Sequence, residues 1–391
     1  MCKHGVYSGY EPSVYRATRA GDNVSDFTMP ALVMSTLKHK AVADWLLQEG
    51  GPVVRWLTLT HLVDQPGKAQ IHRAQCDLLA APHVRLWLGR LETIKRFHNS
   101  GNDCFENVAG KLGEFGLHAG MRPLDARMGR FLEWIAHPDR RTERGMMATL
   151  NRVIVCAGLL RLGYTQSEAV REFALTRLDQ LHRVAAWGRY DIFLDADPPD
   201  LPKAFRGRYR VVATEFTPEG VCCLPYICDL YMLAHVPAPW RIEGVRRKIE
   251  GIVKYVLTDE YQRLPGGYGY MRDTTHARPR YYVLGWRVQL PSLRRTPADG
   301  EFLQRLELMS AFAVARRHRW WRTSMKALER FLTPEGRFRF PRPWLTEKPV
   351  GYWVGGAHMG LEENRRSGQA IQVESTLRAL RLLRSGRVDR F

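Results

Sequence analysis

Hydrophobic positions recur at helical spacing along most of the chain. Residues 35–64 and 67–98 each predict a pair of helices, because apolar side chains recur three or four positions apart. Pro52 and Pro82 each open the second helix of a pair, where a missing backbone N–H costs little. Residues 103–137 predict two shorter helices. The N-terminal third is therefore expected to consist of helical hairpins.

Two later segments are apolar all round. Residues 144–162 and 220–235 predict helices that neighbours must cover on both sides. The capping box Thr165–Glu168 then predicts an amphipathic helix with charges on one face. Further helices are predicted near 242–258, 302–317, 320–332 and 369–385. Strand signals are few and short, so the pattern favours an all-α class with inner and outer helices.

The stretch 187–220 interrupts this pattern. It is rich in Pro and Asp and then extended from Tyr209 to Val212. Long irregular segments in compact helical proteins are usually functional or form lids. We therefore expect this stretch to lie near a site.

Two segments of the C-terminal half follow the same order. Each predicts the end of an amphipathic helix, a Gly turn, and aromatics that alternate with Gly or Arg. The first runs from Lys254 to Tyr270 and the second from Glu329 to Phe340. Such self-similarity indicates a repeat architecture.

These units resemble the prenyltransferase and squalene-cyclase repeat, in which a basic residue and an aromatic-Leu helix end precede Gln, Gly and an aromatic. The first unit has Lys248, Tyr255-Val256-Leu257, Gln262 and Gly267-Tyr268 in that order. The second unit has Phe331-Leu332, Gly336 and Phe338 but lacks the Gln. The resemblance implies an α/α toroid, with inner helices around a cavity and outer helices around them. It also implies chemistry of the lyase, isomerase or transferase kind.

One departure limits what the resemblance carries over. The triterpene cyclases have an acidic run of the Asp-X-Asp-Asp type, and the nearest match here is Asp195-Ala196-Asp197 with Asp200 in a Pro-rich loop. The zinc ligands of the protein prenyltransferases are not evident either. The cyclase activity itself is therefore not carried over from the resemblance. We divide the chain into an extended or poorly ordered arm (1–33), HEAT-like hairpins (34–140) and a toroid domain (141–391).

Charge and cysteine content restrict the partners and the compartment. The net charge of +19 favours anionic partners, although a solvated basic surface would give the same value. The seven cysteines are irregularly spaced and predict no disulfide framework. Residues 1–33 show no secretory signal, and no apolar stretch reaches the roughly 18 residues of a membrane span. These features predict a cytoplasmic protein.

Three carboxylates are candidate acids. Asp229 is the only charge in the apolar run 221–234, where burial would raise its pKa and suit it to donate a proton. Alternatively, Asp229 caps a helix or pairs with an Arg of a neighbouring helix. Glu374 on the final helix has the same two interpretations. Asp273 and His276 form a second candidate acid/base pair on a loop.

Aromatic side chains are candidate cavity residues. They could stabilise a carbocation by cation–π contact, or they could be packing residues of the repeat, and the second interpretation is the stronger one. The set comprises Tyr268, Tyr270, Tyr281, Tyr282, Trp286 and Trp353.

Metal sites are weakly indicated. Asp195 and Asp197, with Asp200, could hold Mg²⁺ beside Arg206, or they could form a solvated turn. Zinc at the cysteines of 222–228 is less favoured than buried thiols. The cofactor expectation is therefore none or Mg²⁺.

The leading hypothesis is an enzyme that acts on an apolar or isoprenoid-like substrate in a central cavity, with Asp229, Asp273 and His276 as acid/base candidates. Such a substrate could bear a diphosphate, and the enzyme could make peripheral membrane contact. The second hypothesis is a non-catalytic helical-repeat scaffold that binds an anionic partner. Nucleic acid is a possible partner but not the favoured one. The third is a carbohydrate-active α/α barrel.

Overall fold

The computed structural model describes residues 36–137, 145–275, 277–291, 299–363 and 367–386. This part of the chain is predominantly helical, which confirms the all-α class. The α-helices are α1 (Thr36–Glu49), α2 (Pro52–His61), α3 (Lys68–Ala80), α4 (Pro82–Thr93), α5 (Phe105–Glu114), α6 (Arg122–Ala136), α7 (Gly145–Arg161), α8 (Glu168–Trp187), α9 (Ile227–Ala234), α10 (Glu243–Leu257), α11 (Asp259–Arg263), α12 (Glu301–Ser310), α13 (Ala313–Arg317), α14 (Arg319–Leu328) and α15 (Gly368–Ser385).

The described residues contain one two-stranded sheet. Strands β1 (Gly269–Asp273) and β2 (Arg280–Leu284) are antiparallel. Tyr270 lies opposite Val283, so both side chains occupy the face that points away from the main core. The prediction of few and short strands is therefore confirmed within the described part of the chain.

Helix boundaries follow from local chemistry. Pro52 and Pro82 stand at the first positions of α2 and α4, as predicted. Helix α8 begins at Glu168, and the hydroxyl of Ser167, rather than that of Thr165, accepts a hydrogen bond from Val170 N at 3.5 Å. The range 302–317 forms two helices, because the chain turns at Ala311 and Phe312 between α12 and α13.

The all-round apolar helices lie in the interior. Helix α7 packs against α5 and α9, and α8 packs against α10. Contacts continue from α9 to α12, from α12 to α15, and from α15 back to α1 and α2. One hydrophobic core extends from Val42 to Leu382 across residue 140. The division at 140 and the toroid arrangement stay predictions, and residues 1–33 lie outside the described part.

Both repeat units turn back on themselves after a helix. In the first, Tyr268 and Gly269 have positive φ (49° and 139°) where β1 begins. In the second, Leu332 pairs with Phe338 around Gly336, whose φ is 77°. A positive φ is strained for residues with a Cβ, which explains glycine at positions 269 and 336, whereas Tyr268 adopts this conformation with a side chain. Tyr268 and Phe338 are buried, so both aromatics contribute to the core.

No helix in the described ranges combines the length and the apolar character that crossing a bilayer would require.

Candidate functional site

Asp229 is held in a buried ion pair. On α9, its carboxylate accepts hydrogen bonds from Arg177 Nε at 2.8 Å and Arg177 Nη2 at 2.9 Å, and both side chains are inaccessible to solvent. It also accepts from Tyr226 N at 2.9 Å. Burial opposes the charge on Arg177, but the charge and hydrogen bonds of Asp229 outweigh it and raise the pKa of Arg177. Asp229 therefore caps α9 and pairs with an Arg of another helix, as the second interpretation of the sequence proposed. The expectation of a lone buried acid is corrected.

Asp273 ends β1, and its carboxylate lies at the start of α7. Its Oδ1 accepts from Thr275 N at 2.9 Å and Thr275 Oγ1 at 2.6 Å, and the side chain is fully buried. The carboxylate lies against Gly145, where a Cβ would come within 2.0 Å of Oδ2. A carboxylate at a helix N-terminus is stabilised by the helix dipole. This placement favours a structural role, and His276 lies outside the described residues.

Three of the candidate aromatics lie apart from the ring cluster described below. The hydroxyl of Tyr268 lies 2.6 Å from that of Tyr261 and donates to Pro225 O at 2.7 Å. Tyr270 stacks on Phe205 with ring centroids 4.8 Å apart. Tyr282 is half-buried and packs against the main core. These contacts agree with the packing alternative.

Glu374 is held where α15 meets α2. Its buried carboxylate accepts from Glu362 N at 3.0 Å, and Glu362 in turn accepts from Val54 N at 2.8 Å. Burial, with the charge of Glu374, raises the pKa of Glu362 to about 7. The pair of carboxylates thus lies beside the first turn of α2.

The acidic loop forms no metal cluster. Asp195 and Asp197 are exposed, whereas Asp200 accepts from Arg272 Nη2 at 3.0 Å and Tyr281 Oη at 2.9 Å. Within the ranges that the structure covers, no three His, Cys, Asp or Glu side chains are placed to hold a metal ion. The thiols of Cys222, Cys223 and Cys228 are buried and free.

A histidine–carboxylate pair lies beside two aromatic side chains in another part of the structure. His98 Nδ1 lies 2.5 Å from Glu106 Oε2, with 18% of the His98 side chain and 3% of the Glu106 side chain exposed. The His98 ring is 5.0 Å from Tyr352 and 5.6 Å from Trp286, and those two rings are 4.3 Å apart. We call these four residues the dyad site.

Hydrogen bonds to a residue of α5 fix the backbone around the dyad site. Asn107 donates to Gly101 O and Gly351 O, each at 2.9 Å, and accepts from Trp353 N at 2.7 Å. Asn107 therefore joins the loop that carries His98 to the loop that carries Tyr352. Such cross-links hold the rings of the dyad site in a fixed geometry.

Trp286 adopts a strained backbone conformation. Its φ is 68°, a left-handed value that is costly for a bulky residue. Its carbonyl oxygen accepts from Ile227 N at 2.9 Å, which fixes it to the start of α9. Strain of this kind clusters at functional sites, where the surrounding structure must support it.

Trp353 extends the aromatic wall inward from the dyad site. The side chain is buried, and its ring is 4.4 Å from that of Tyr231 and 4.5 Å from the Arg161 guanidinium. Gly110 on α5 makes room for it, because a Cβ there would come within 2.2 Å of the indole. Trp353 therefore connects the dyad site with the charged interior.

A buried charge network lies beyond Trp353. Glu114 accepts from Arg161 at 2.8 Å and from Arg378 at 3.1 Å, and Arg378 Nη1 donates to both oxygens of Glu307 at 2.7 Å. Burial opposes ionisation of Glu114, but the charges of Arg378 and Arg161 outweigh it and lower its pKa to about 2. These contacts join α5, α7, α12 and α15.

Several polar atoms beside this network have no hydrogen-bond partner among the described residues. They are Arg305 Nε and Nη1, both amide atoms of Gln304, and the Tyr231 hydroxyl. All three side chains are buried. Burial raises the pKa of Tyr231, and the charges of Arg305 and Arg161 partly offset the shift, so both cations act on its hydroxyl. An unsatisfied buried donor is costly, and a bound anion would remove that cost.

An open cleft of about 490 Å³ between α4 and α6 contains none of the predicted residues. The ion pair of Arg127 with Glu92, at 2.6 Å, belongs to its wall.

Sequence reasoning identified Trp286 and Trp353 but missed His98, Glu106 and Tyr352. One signal was available in α5, where Glu106, Asn107, Lys111 and Glu114 are polar yet buried. A short helix with so many polar residues on covered faces indicates a polar interior. The pairing of His98 with Glu106 had no comparable signal, because the loop between them has no periodicity.

No family model matches the chain, and no curated protein or solved structure matches it.

Proposed function

We propose that this protein is an enzyme that performs acid–base chemistry on an apolar or isoprenoid-like substrate at the dyad site. The observation that carries the proposal is the contact of 2.5 Å between His98 Nδ1 and Glu106 Oε2 beside Trp286 and Tyr352. A carboxylate that holds one imidazole nitrogen orients the ring and stabilises its protonated form. His98 Nε2, which forms no hydrogen bond in the described part of the chain, is then the atom that exchanges a proton with substrate.

The aromatic rings provide the apolar walls of this site. Trp286 and Tyr352 contact the partly exposed His98, and Trp353, which follows Tyr352 in the chain, contacts the buried Tyr231. An apolar chain would gain free energy by leaving water along these rings, at roughly 25 cal/mol per Å². The same rings can stabilise a cation on the substrate.

The buried donors suit an anionic end of the substrate. Arg305, Gln304 and Tyr231 have unsatisfied polar atoms near Trp353 and Arg161, and Arg161 is itself paired with Glu114. For an allylic diphosphate, the C–O bond would break with its electron pair going to the diphosphate. Attack of a distal double bond of the chain on this allylic cation would form a ring and move the positive charge toward the His98 end. His98 would then take a proton from the carbon next to the cationic centre, which leaves an alkene and an imidazolium that returns the proton to water.

We propose the α/α toroid as the scaffold of this site. The succession of contacts α5–α7–α9–α12–α15 supports it, and so does the Glu114–Arg378 ion pair that joins α5 to α15. We also propose a cytoplasmic location, which is supported by the free thiols of the cysteines in the described ranges.

Turnover of farnesyl diphosphate tests the proposal. We expect hydrocarbon products by gas chromatography with mass spectrometry, and equimolar release of diphosphate, from the wild-type protein. His98→Gln should abolish product, whereas His72→Gln at an exposed position of α3 should retain it. Absence of turnover together with absence of farnesol binding by calorimetry would overturn the proposal. Binding of cellobiose in place of farnesol would favour a carbohydrate-active barrel.

A further inference from the structure

The irregular stretch and the hairpin form a small lobe on the helical body. We define the hairpin lobe as residues 193–212 together with the described residues of 269–284. It has its own small core of Leu201, Val211 and Tyr270. Val212 N donates to Tyr270 O at 2.8 Å, and Tyr270 N donates to Arg210 O at 2.9 Å. These bonds join the two segments into one unit.

The surface of the hairpin lobe is cationic. Lys203, Arg206, Arg208, Arg210, Arg278 and Arg280 are exposed. None of the six forms an ion pair with a carboxylate in the part of the chain that the structure describes. Asp200 is neutralised by Arg272 at 3.0 Å, which leaves Asp195 and Asp197 as exposed carboxylates of the lobe. Positive charge is therefore in excess and available.

Tyr209 is an exposed aromatic ring on a rigid base. Half of its surface is accessible, and it stands between Arg208 and Arg210. Its ring meets the buried Tyr270 edge to face, with centroids 5.4 Å apart. A ring supported in this way can stack on a planar group at little cost in side-chain entropy.

The residue types on this surface distinguish between an anionic bilayer and single-stranded nucleic acid as its partner. Five of the six cations are arginines, whose planar guanidinium binds phosphate oxygens in a bidentate manner and stacks on bases. Binding to a bilayer would need a larger apolar face, and Val283 is the strongly exposed aliphatic side chain of the described lobe. Arginines around an exposed tyrosine instead match the way single-stranded nucleic acid is held, by phosphate contacts and base stacking.

We propose that the hairpin lobe is a binding surface for single-stranded nucleic acid, with Tyr209 stacking on a base and Arg206, Arg208 and Arg210 contacting phosphates. This interaction does not depend on the dyad site, so either proposal can fail without the other.

Fluorescence anisotropy with a fluorescein-labelled oligo(dT) of about 20 nucleotides tests the proposal. We expect the triple variant Arg206→Ala/Arg208→Ala/Arg210→Ala to bind about tenfold more weakly or worse at moderate salt, with a shallower salt dependence. Tyr209→Ala should weaken binding several-fold, and Tyr209→Phe should restore it, because the stacking ring is retained.

A matched triple variant on α10 controls for net charge. Arg246→Ala/Arg247→Ala/Lys248→Ala removes the same charge from another exposed surface, where each cation is paired with Glu243 or Asp179. We expect this variant to bind as the wild type does. Equal weakening in both triple variants would overturn the proposal. So would co-sedimentation with phosphatidylserine vesicles in the absence of oligonucleotide binding, and so would a lack of binding to the oligonucleotide at low salt.

Discussion

His98 and Glu106 are eight positions apart in the chain and touch at 2.5 Å between Nδ1 and Oε2. His98 lies in the loop before α5, and Glu106 lies in the first turn of that helix. Phe105 N and Glu106 N donate at 3.0 Å to Arg96 O and Phe97 O, so the loop returns along the start of the helix. A histidine and its carboxylate are thereby fixed beside Trp286 and Tyr352.

Replacement of Glu106 tests the role of this contact. We expect Glu106→Gln to lower turnover of the proposed substrate by about 10²-fold, because the amide cannot stabilise a protonated imidazole. Farnesol affinity by calorimetry should change little, since the aromatic walls remain. Asp103→Asn, a substitution in the same loop, serves as the control. A variant with full turnover would contradict the role assigned to Glu106.

The ion pair of Arg177 with Asp229 predicts a large stability effect. Asp229→Asn leaves the buried Arg177 without its counter-charge, so we expect a loss of about 3–5 kcal/mol in the free energy of unfolding. Asp179→Asn breaks the exposed contact with Lys248 and should cost less than about 1 kcal/mol. Urea denaturation followed by circular dichroism measures both values. Equal losses for the two variants would show that the buried pair contributes nothing beyond a surface pair.

Helix glycines give a matched steric test. At Gly110 a Cβ would meet Trp353 at 2.2 Å, whereas at Gly129 on α6 no atom lies within 4 Å. We expect Gly110→Ala to destabilise the fold by about 1–3 kcal/mol and to weaken farnesol binding by displacing the indole. Gly129→Ala should be neutral or stabilising by up to about 1 kcal/mol, because alanine loses less backbone entropy. Thermal unfolding and calorimetry provide the readouts, and an unchanged Gly110→Ala protein would contradict the packing described.

Glu362 predicts a pH dependence of stability. Its pKa is raised to about 7, so its contribution to the free energy of unfolding is present below the usual carboxyl pKa and is lost as pH rises through about 7. Between about pH 5 and about pH 8, we expect the wild type to lose about 2–3 kcal/mol relative to Glu362→Gln.

The comparison with Glu362→Gln separates the contribution of Glu362 to the pH dependence of stability from the contributions of other titrating groups. Burial lowers the pKa of His235 to about 4, so this residue destabilises the fold as pH falls below the usual histidine range. Glu114, whose pKa is lowered to about 2, contributes a constant term in this range. Parallel pH profiles for the wild type and Glu362→Gln would contradict the assignment.

Local chemistry in the sequence was sufficient to predict most helices. Pro52 and Pro82 stand at observed helix starts. The all-round apolar run 144–162 corresponds to the interior helix α7. These features depend on residues only a few positions apart in the chain, so the sequence is sufficient to predict them. The end of α12 was missed, because the turn at Ala311 and Phe312 has no Gly or Pro.

The candidate site was predictable only in part. Trp286 and Trp353 were among the predicted aromatics, and they occupy the wall beside His98 and Tyr231. Asp229 was correctly predicted to be buried. Whether it is a lone acid or one half of an ion pair depended on whether a cation of another helix faces it.

The sequence by itself determined the helical class, most helix ends and the burial of Asp229, because these follow from periodicity and capping. Only the tertiary structure decided that Arg177, on another helix, neutralises Asp229. It alone brought His98 to Glu106, Trp286 and Tyr352, whose positions are set by packing between segments remote in the chain. The physical reason is that the free energy of a buried charge depends on its nearest neighbours in space, which one chain pattern does not specify.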